Sequence, residues 1–487
     1  MKALRPEAVR ATYVFQALQR AGRALRGGTS DLYHLSHATT RIHAFWSHSW
    51  HGNKWMKVAT LLFLSNSTPA ALMGLAASVL TALAVQYNWI RSDSSVNYWC
   101  LPVGSAAYAM GMLFWRSRQL VFLDRICIHQ CNLEKKVEGM FSLGAILKCA
   151  DALLVLWDPS YGQRLWCLFE LAGFLHCQPP TQKPRIVLRP SILGPVFFSA
   201  TAGMMLMCGT QHLMHVNGFD SLLLAWLIIL LSFAPMCFAA HIVRSYCRSV
   251  SRMRDEVAKV TLESAQCYCC SVQHRDPASG KDIEICDRRV LRRCVVEWFG
   301  SVEAFEHRVQ HEVLEILTDQ LSKNIFSYRR IAEASSVFMA FFLDTAGTSC
   351  RDGVLDECTE RVLKGVAYWL AAVPSMTAVS YRVAWALQRQ RIHRVLDMLV
   401  TLAVLLSMAL TACSYVAFDM CLVWIIPDSA VLRVAIFVPI SAASTAVVWR
   451  CLPVRVPAAS VPSLSSTGPH AAEQHEGSPR ARRIIPL

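Results

Sequence analysis

The chain has 487 residues, 54% of them hydrophobic and 17% charged, with a mean hydropathy of +0.33 and a formal net charge of +14. A soluble chain of this length carries about 25% charge, so the composition excludes an ordinary soluble globular protein and predicts an integral membrane protein in a lipid bilayer. The Lys and Arg surplus flanks apolar runs and forms no domain-wide face, which argues against a nucleic-acid partner.

In chain order, residues 1–40 form a basic segment (Lys2, Arg5, Arg10, Arg20, Arg23, Arg26) without the apolar core of a secretory signal. It reads as a cytosolic, membrane-proximal helix, with an amphipathic mitochondrial presequence as the alternative. Residues 41–66 begin with "RIHAFWSHSW", Arg41 to Trp50, an aromatic alternation expected of a strand. Residues 67–116 hold two uncharged runs, Thr68 to Tyr87 and Asn97 to Trp115, that approach or exceed the roughly 18 residues of a spanning helix.

Residues 117–190 alternate strand and helix signals. "LVFLD" and "DALLVLW" are short apolar strands, "VEGMFSLGAILKCA" and "RLWCLFELAGFL" have helical spacing, and "RIVLRP" is another strand. Such alternation predicts a parallel sheet covered on both faces, with His43–Ser47, Leu120–Leu123, Ala152–Trp157 and Ile186–Leu188 as neighbours. Ligands of such sheets sit beyond the carboxyl ends of the strands, where Asp124 and Asp158 fall.

Residues 191–242 are a second hairpin, from Ser191–Gln211 and Ser221–Ala240. Residues 243–330 are a helical cytosolic region, expected as two amphipathic helices broken at "FGS", with Asp287 or Ser301 as N-caps. Residues 331–450 form a C-terminal membrane region with the runs Gly365–Tyr381, Met398–Phe418 and Val434–Trp449, and 451–487 is a tail expected to be disordered. Arg-rich segments before the first span, after the second and after the fourth place these sides, including the N-terminus, in the cytosol. That bookkeeping fails at "RVAWALQRQRIHR" unless Ile331–Leu343 is an extra short crossing or Gly365–Tyr381 does not cross, which leaves six to eight spans.

Nineteen cysteines lie at no disulfide-framework spacing, so most are expected to be reduced. "CYCCSVQH" is the exception: Cys267, Cys269, Cys270 and His274 could furnish a tetrahedral zinc site, with acylation and inert packing as alternatives. His43, His48, His51 and His129 have no carboxylate at ligand spacing and read as ordinary strand and loop residues.

"SLGAILKCADALLVLWDPSYGQRLWCLFELAGF" resembles the later half of a Toll/interleukin-1 receptor (TIR) domain, in which a Ser/Tyr loop leads to a Trp-Cys-x-x-Glu-Leu helix. "HAFWSHSW" is similar to that family's first strand, and "FLDRICIHQ" resembles the signature strand of the related fungal heterokaryon-incompatibility domains. The resemblance covers Ile42–Leu64 and Leu120–Pro190, and implies a flavodoxin-like α/β domain attached to a mainly α-helical polytopic membrane region. It further implies a cytosolic self-association or signalling module. In the NAD-cleaving members the glutamate of the Trp-Cys-x-x-Glu-Leu helix, here Glu170, is catalytic. NAD would then be the substrate, in a cleft that includes Phe45, Ser47, Asp124 and Trp166. The opposing reading ties Glu170 to the Ser160–Tyr161 loop or to Arg164, with Trp166 and Cys167 packed into the sheet. The chain departs from the family by inserting two spans between the first strand-helix unit and the second strand. Transport is disfavoured, since the apolar runs hold almost no ionisable residues.

Overall fold

The computed structural model describes residues 5–28, 31–90, 98–178, 184–217, 222–275, 280, 282–283, 285–323, 326–351 and 353–451, with the backbone alone at 211–217, 222–229, 254, 322–323 and 348. The tail beyond 451 and most of the connector "NWIRSDSSV" lie outside the described residues. The chain is mostly helical, with one small mixed sheet of six strands.

The strands are β1 (Arg10–Tyr13), β2 (His37–Ala38), β3 (Ala44–His48), β4 (Leu120–Phe122), β5 (Leu153–Trp157) and β6 (Ile186–Pro190), in the spatial order β2-β1-β4-β3-β5-β6. The four expected strands are neighbours and parallel: Phe45 opposes Phe122 on one side and Leu153 on the other, and Leu154 opposes Val187. Two antiparallel strands extend the sheet from the basic N-terminal segment, with Thr12 opposite Val121 and Ala11 opposite His37. They replace the expected membrane-proximal helix over part of its length, and a helix over Val14–Gly22 follows β1. Strands this short carry almost no periodicity, so nothing in the sequence marks them. The outer edge of β6 is covered: Gln320 accepts from the Leu188 N–H at 2.9 Å and donates to the Ile186 carbonyl at 2.7 Å, which removes an open template for pairing.

Six helices are long and apolar enough to cross a membrane. In chain order, with three shorter apolar helices (α2, α3 and α6), they are α1 (Lys54–Gln86), α2 (Cys100–Phe114), α3 (Leu165–Cys177, packed on the sheet), α4 (Leu193–Asn217), α5 (Leu222–Val257), α6 (Val337–Arg351), α7 (Leu355–Ala386), α8 (Arg394–Ile425) and α9 (Ala430–Cys451).

The boundary expected at residues 66 and 67 falls inside α1, which is one continuous helix from Lys54. Its 33 residues would extend about 50 Å, against a hydrocarbon core of about 30 Å, so the first four turns stand clear of the apolar layer. Polar residues at the crossing point misled the reading because they are satisfied by other helices. Asn66 donates to the Met112 carbonyl, while Ser67 and Thr68 donate to Glu333, which also holds Arg329 and Arg330.

Close packing of α1 on α2 uses glycine. A Cβ at Gly104 would meet Ser78 Oγ at 2.0 Å, and one at Gly111 would meet the Ala70 Cα at 2.8 Å, the small-residue contact by which membrane helices approach each other.

Contacts fix which helix ends lie together. The Asp344 carboxylate of α6 accepts from the Cys100 and Leu101 N–H groups at the start of α2, both at 2.8 Å, so α6 runs from the sheet side to the far side. α7 returns, since Arg248 of α5 donates to the Gln388 carbonyl just after α7 ends. The Arg382–Arg394 segment therefore lies on the side of the sheet. At the far end Glu360, Lys364, Asp419 and Arg433 form a balanced network, with Lys364 Nζ at 2.6 Å from both carboxylates and Arg433 bidentate on Glu360. The ionisable residues that bracket the apolar runs thus pair with one another. A disulfide, Cys350–Cys358, closes the α6–α7 turn there, an exception to the expectation that most of the cysteines are reduced. A spacing of eight residues in one chain region is uninformative until two helices bring the ends together.

Arg244 of α5 looks like a loop charge in the sequence but is fully buried. Its guanidinium donates to the Leu387 and Asp397 carbonyls, to Thr401 Oγ1 at 2.8 Å and to the Asp397 carboxylate at 3.0 Å. Arg244→Ala would strand a carboxylate and two carbonyls, a loss of about 3–5 kcal/mol. Arg244→Lys should recover little of it, because one ammonium cannot span the planar donor set. Thermal unfolding of the detergent-solubilised protein should show both variants well below the wild type.

Candidate functional site

The carboxyl ends of β3 and β5, at the point where the order of the parallel strands reverses, carry the polar residues of the domain. β3 delivers Ser47 and His48, and β5 delivers Asp158 and the loop to Tyr161, while α3 turns Glu170 back toward them. This is the crevice where open parallel sheets bind ligands.

Ser47, Tyr161 and Glu170 form one chain of contacts. Ser47 Oγ lies 2.7 Å from the Tyr161 hydroxyl and 2.5 Å from Glu170 Oε2, and the Tyr161 hydroxyl donates to the Cys167 carbonyl at 3.2 Å. Ser47 donates to the Glu170 carboxyl. Burial pushes the Glu170 pKa up to about 8, the Ser47 hydrogen bond opposing and nearby Asp124 adding to the rise. Desolvation likewise drives the Tyr161 and Cys167 pKa values up.

A second cluster joins the loop after β3 to the end of β5. Lys57, in the first turn of α1, is buried 3.2 Å from Asp158 Oδ2 and also donates to the Ser49 carbonyl. Ser160 N–H donates to Asp158 Oδ1 at 2.9 Å, and Ser49 and Ser160 share a 2.7 Å hydroxyl contact. Sequence reasoning missed Lys57, because a lysine at the start of a membrane helix reads as an interfacial charge. The glycine beside it is a usable signal: a Cβ at Gly52 would meet Asp158 Oδ2 at 2.0 Å.

The implied NAD-cleft residues separate. Ser47 and Glu170 are in direct contact. Asp124 accepts from the Trp50 indole at 2.9 Å, one strand over. Phe45 has no exposed surface and stacks on Phe122 with ring centres 4.5 Å apart, which leaves it no face for a ligand. Trp166 donates its indole N–H to Asp287 at 3.1 Å and is partly covered by the helix Asp287–Phe299, and Cys167 is buried against the sheet. Glu170 is held by Ser47 beside Tyr161, while Arg164 turns to Gln266 and His51. Close by, His48 is buried, its Nε2 without a hydrogen-bond partner among the described residues. Burial lowers its pKa to about 4, with Asp124 only partly offsetting. A separate, mostly apolar cavity of about 120 Å³, lined by Phe197, Met236, Tyr381 and Leu405, lies among the apolar helices, with hydroxyls from Thr201, Thr377 and Ser380 on its wall.

Of the expected zinc ligands, Cys267, Cys269 and Cys270 come together and His274 lies near Cys269 and Cys286. Comparison with protein-family models, with curated proteins and with solved structures finds no match for this chain.

The two shifted groups set opposite slopes of stability with pH. Glu170 holds its proton more tightly folded than unfolded, so its contribution is lost as pH rises from 4.5 to about 8. His48 holds its proton less tightly folded, so stability is lost as pH falls from 6.5 to about 4. Between pH 4.5 and 6.5 the two slopes cancel, so urea unfolding should show a plateau there, declining above about pH 6.5 through Glu170 and below about pH 4.5 through His48. In Glu170→Gln, whose amide can donate to Ser47, the alkaline decline should be absent.

Proposed function

We propose that this is a multi-pass membrane protein whose TIR-like domain faces the cytosol and works as a self-association and signalling module. The order of its four parallel strands, second-first-third-fourth, is that of flavodoxin-like sheets, and the Trp-Cys-x-x-Glu-Leu helix packs on them as the resemblance implies. Orientation is supported from two directions. The Arg-rich turns gather on the side of the sheet, and the Cys350–Cys358 disulfide sits at the opposite end, as suits an oxidising compartment.

The observation that carries a binding role over NAD cleavage is the occupied cleft: Glu170 is buried against Ser47 beside Tyr161, and the Phe45 and Trp166 positions are taken up by the protein's own groups.

Purified full-length protein in liposomes should consume no NAD above the rate of Glu170→Gln, and chemical cross-linking across a dilution series should trap homo-oligomers that increase with protein density in the bilayer. Turnover that collapses in Glu170→Gln would replace this reading with a glycohydrolase, and protein that stays monomeric at every density would remove self-association. In cells, cysteines introduced at Trp89 and Val354 should react with an impermeant maleimide from outside the cytosol, whereas those at Lys135 and Arg252 should not. Labelling of all four from one side would overturn the topology.

A further inference from the structure

The cysteines of the second cytosolic segment form a tighter constellation than their spacing suggests. The segment after α5 docks on the sheet domain: Gln266 pairs with Arg164 in a parallel bridge, and its N–H donates to the Gln163 carbonyl at 2.7 Å. The next residue is Cys267. Cys269, Cys270 and Cys286 make a triangle with sulfur separations of 3.9, 3.8 and 4.0 Å, and Cys267 Sγ lies 3.3 Å from Cys269 Sγ.

Zinc–thiolate bonds of about 2.3 Å set the edge of a tetrahedral ZnS4 unit at about 3.8 Å, so the triangle already has the dimensions of one face. A disulfide needs about 2.05 Å between sulfurs, and none of these pairs approaches it. Two features suit the negative charge that bound thiolates bring. Cys286 is the N-cap of the 13-residue helix Asp287–Phe299, whose N-terminal dipole favours anions. The Asp287 backbone N–H and the Arg288 guanidinium lie close enough to the Cys269 and Cys270 sulfurs to favour their thiolate forms.

We propose that Cys267, Cys269, Cys270 and Cys286 bind one zinc ion as a structural tetrathiolate site. Cys286 takes the place given to His274 on spacing. His274 is an exposed side chain on a left-handed backbone, with φ of 60°, whereas Cys267 is buried against Cys269. On binding, four thiols lose four protons and four zinc–sulfur bonds form, which leaves the site at −2, offset by Arg288 and the helix N-terminus. The ion would pin the segment after α5 to the start of Asp287–Phe299. Asp287 holds Trp166, and Trp298 stacks on Phe169 at 4.8 Å, so the site would clamp this helix over α3. The proposal does not depend on the TIR-like reading.

Full-length protein purified in detergent without added metal, then analysed by plasma mass spectrometry, should carry about one zinc per chain. Removing zinc with a strong chelator should make four additional thiols reactive. Cys267→Ser, Cys269→Ser, Cys270→Ser and Cys286→Ser should each lose most of the metal. His274→Ala and Cys294→Ser, the latter a buried cysteine of the same helix outside the set, should keep it. Should a serine variant fail to accumulate, cobalt exchanged into the wild type gives the answer through the charge-transfer intensity of four thiolates rather than three. Metal-free protein with freely reactive thiols, iron with labile sulfide in place of zinc, or metal loss in His274→Ala with retention in Cys267→Ser would each overturn the assignment.

Discussion

The buried Lys57–Asp158 pair joins the membrane to the sheet, and the placement of the site depends on it. Lys57 belongs to the first turn of a helix that goes on into the bilayer, and Asp158 closes the central strand β5, so the ion pair sets the angle at which β3 gives way to α1. A pair this buried gains little net energy over a hydrophobic substitute, yet loss of either partner leaves a bare charge in a low-dielectric environment. The arrangement therefore acts as a register device: only one docking of α1 against β5 satisfies both groups. Gly52 leaves the room that the carboxylate needs, and Ser49 and Ser160 share the remaining polar contacts.

With that junction fixed, the insertion between β3 and β4 has a simple logic. β3 leads directly into α1, α2 leads directly into β4, and β6 leads into α4, so three of the four parallel strands are continuous with membrane helices. Thr60 seals the last of these, donating to the Ser191 carbonyl at 2.6 Å and accepting from the Gly194 N–H at 2.9 Å. A free α/β domain is tethered by a linker and reorients. Here the sheet is held directly by the apolar helices that its strands run into, which fixes its attitude relative to them.

Much of this could be read from residues. The four parallel strands announced themselves as short apolar runs separated by helical periodicity, and the break at Gly300 and Ser301 is where it was expected, with Ser301 Oγ accepting from the Ala304 N–H at 3.1 Å. What could not be read was set by partners distant in sequence. Arg244 looked like a topogenic charge because the carbonyls that hold it lie about 150 residues on. Asn66 to Thr68 looked like a helix boundary because their partners are on α2 and in the 329–333 turn. Glu170 stood out in the sequence, but its raised pKa could not be inferred, since that follows from burial against Ser47 and Tyr161, which lie on other elements.

The same pairing of distant groups bears on how the protein distinguishes its two faces. On the side of the sheet the described thiols are free and cluster around Cys269, while at the other end of the helices two cysteines are joined as Cys350–Cys358. Thiolate metal sites and disulfides persist in opposite redox surroundings. Under the proposed topology and with the proposed zinc site, cysteine chemistry would mark the same orientation as the arginine counts. The two signals also differ in what they control. Arginine acts during insertion, through the charge of the turns. Cysteine chemistry acts afterwards, on the packed protein, by constraining the α6–α7 turn on one side and the contact of the second cytosolic segment with α3 on the other.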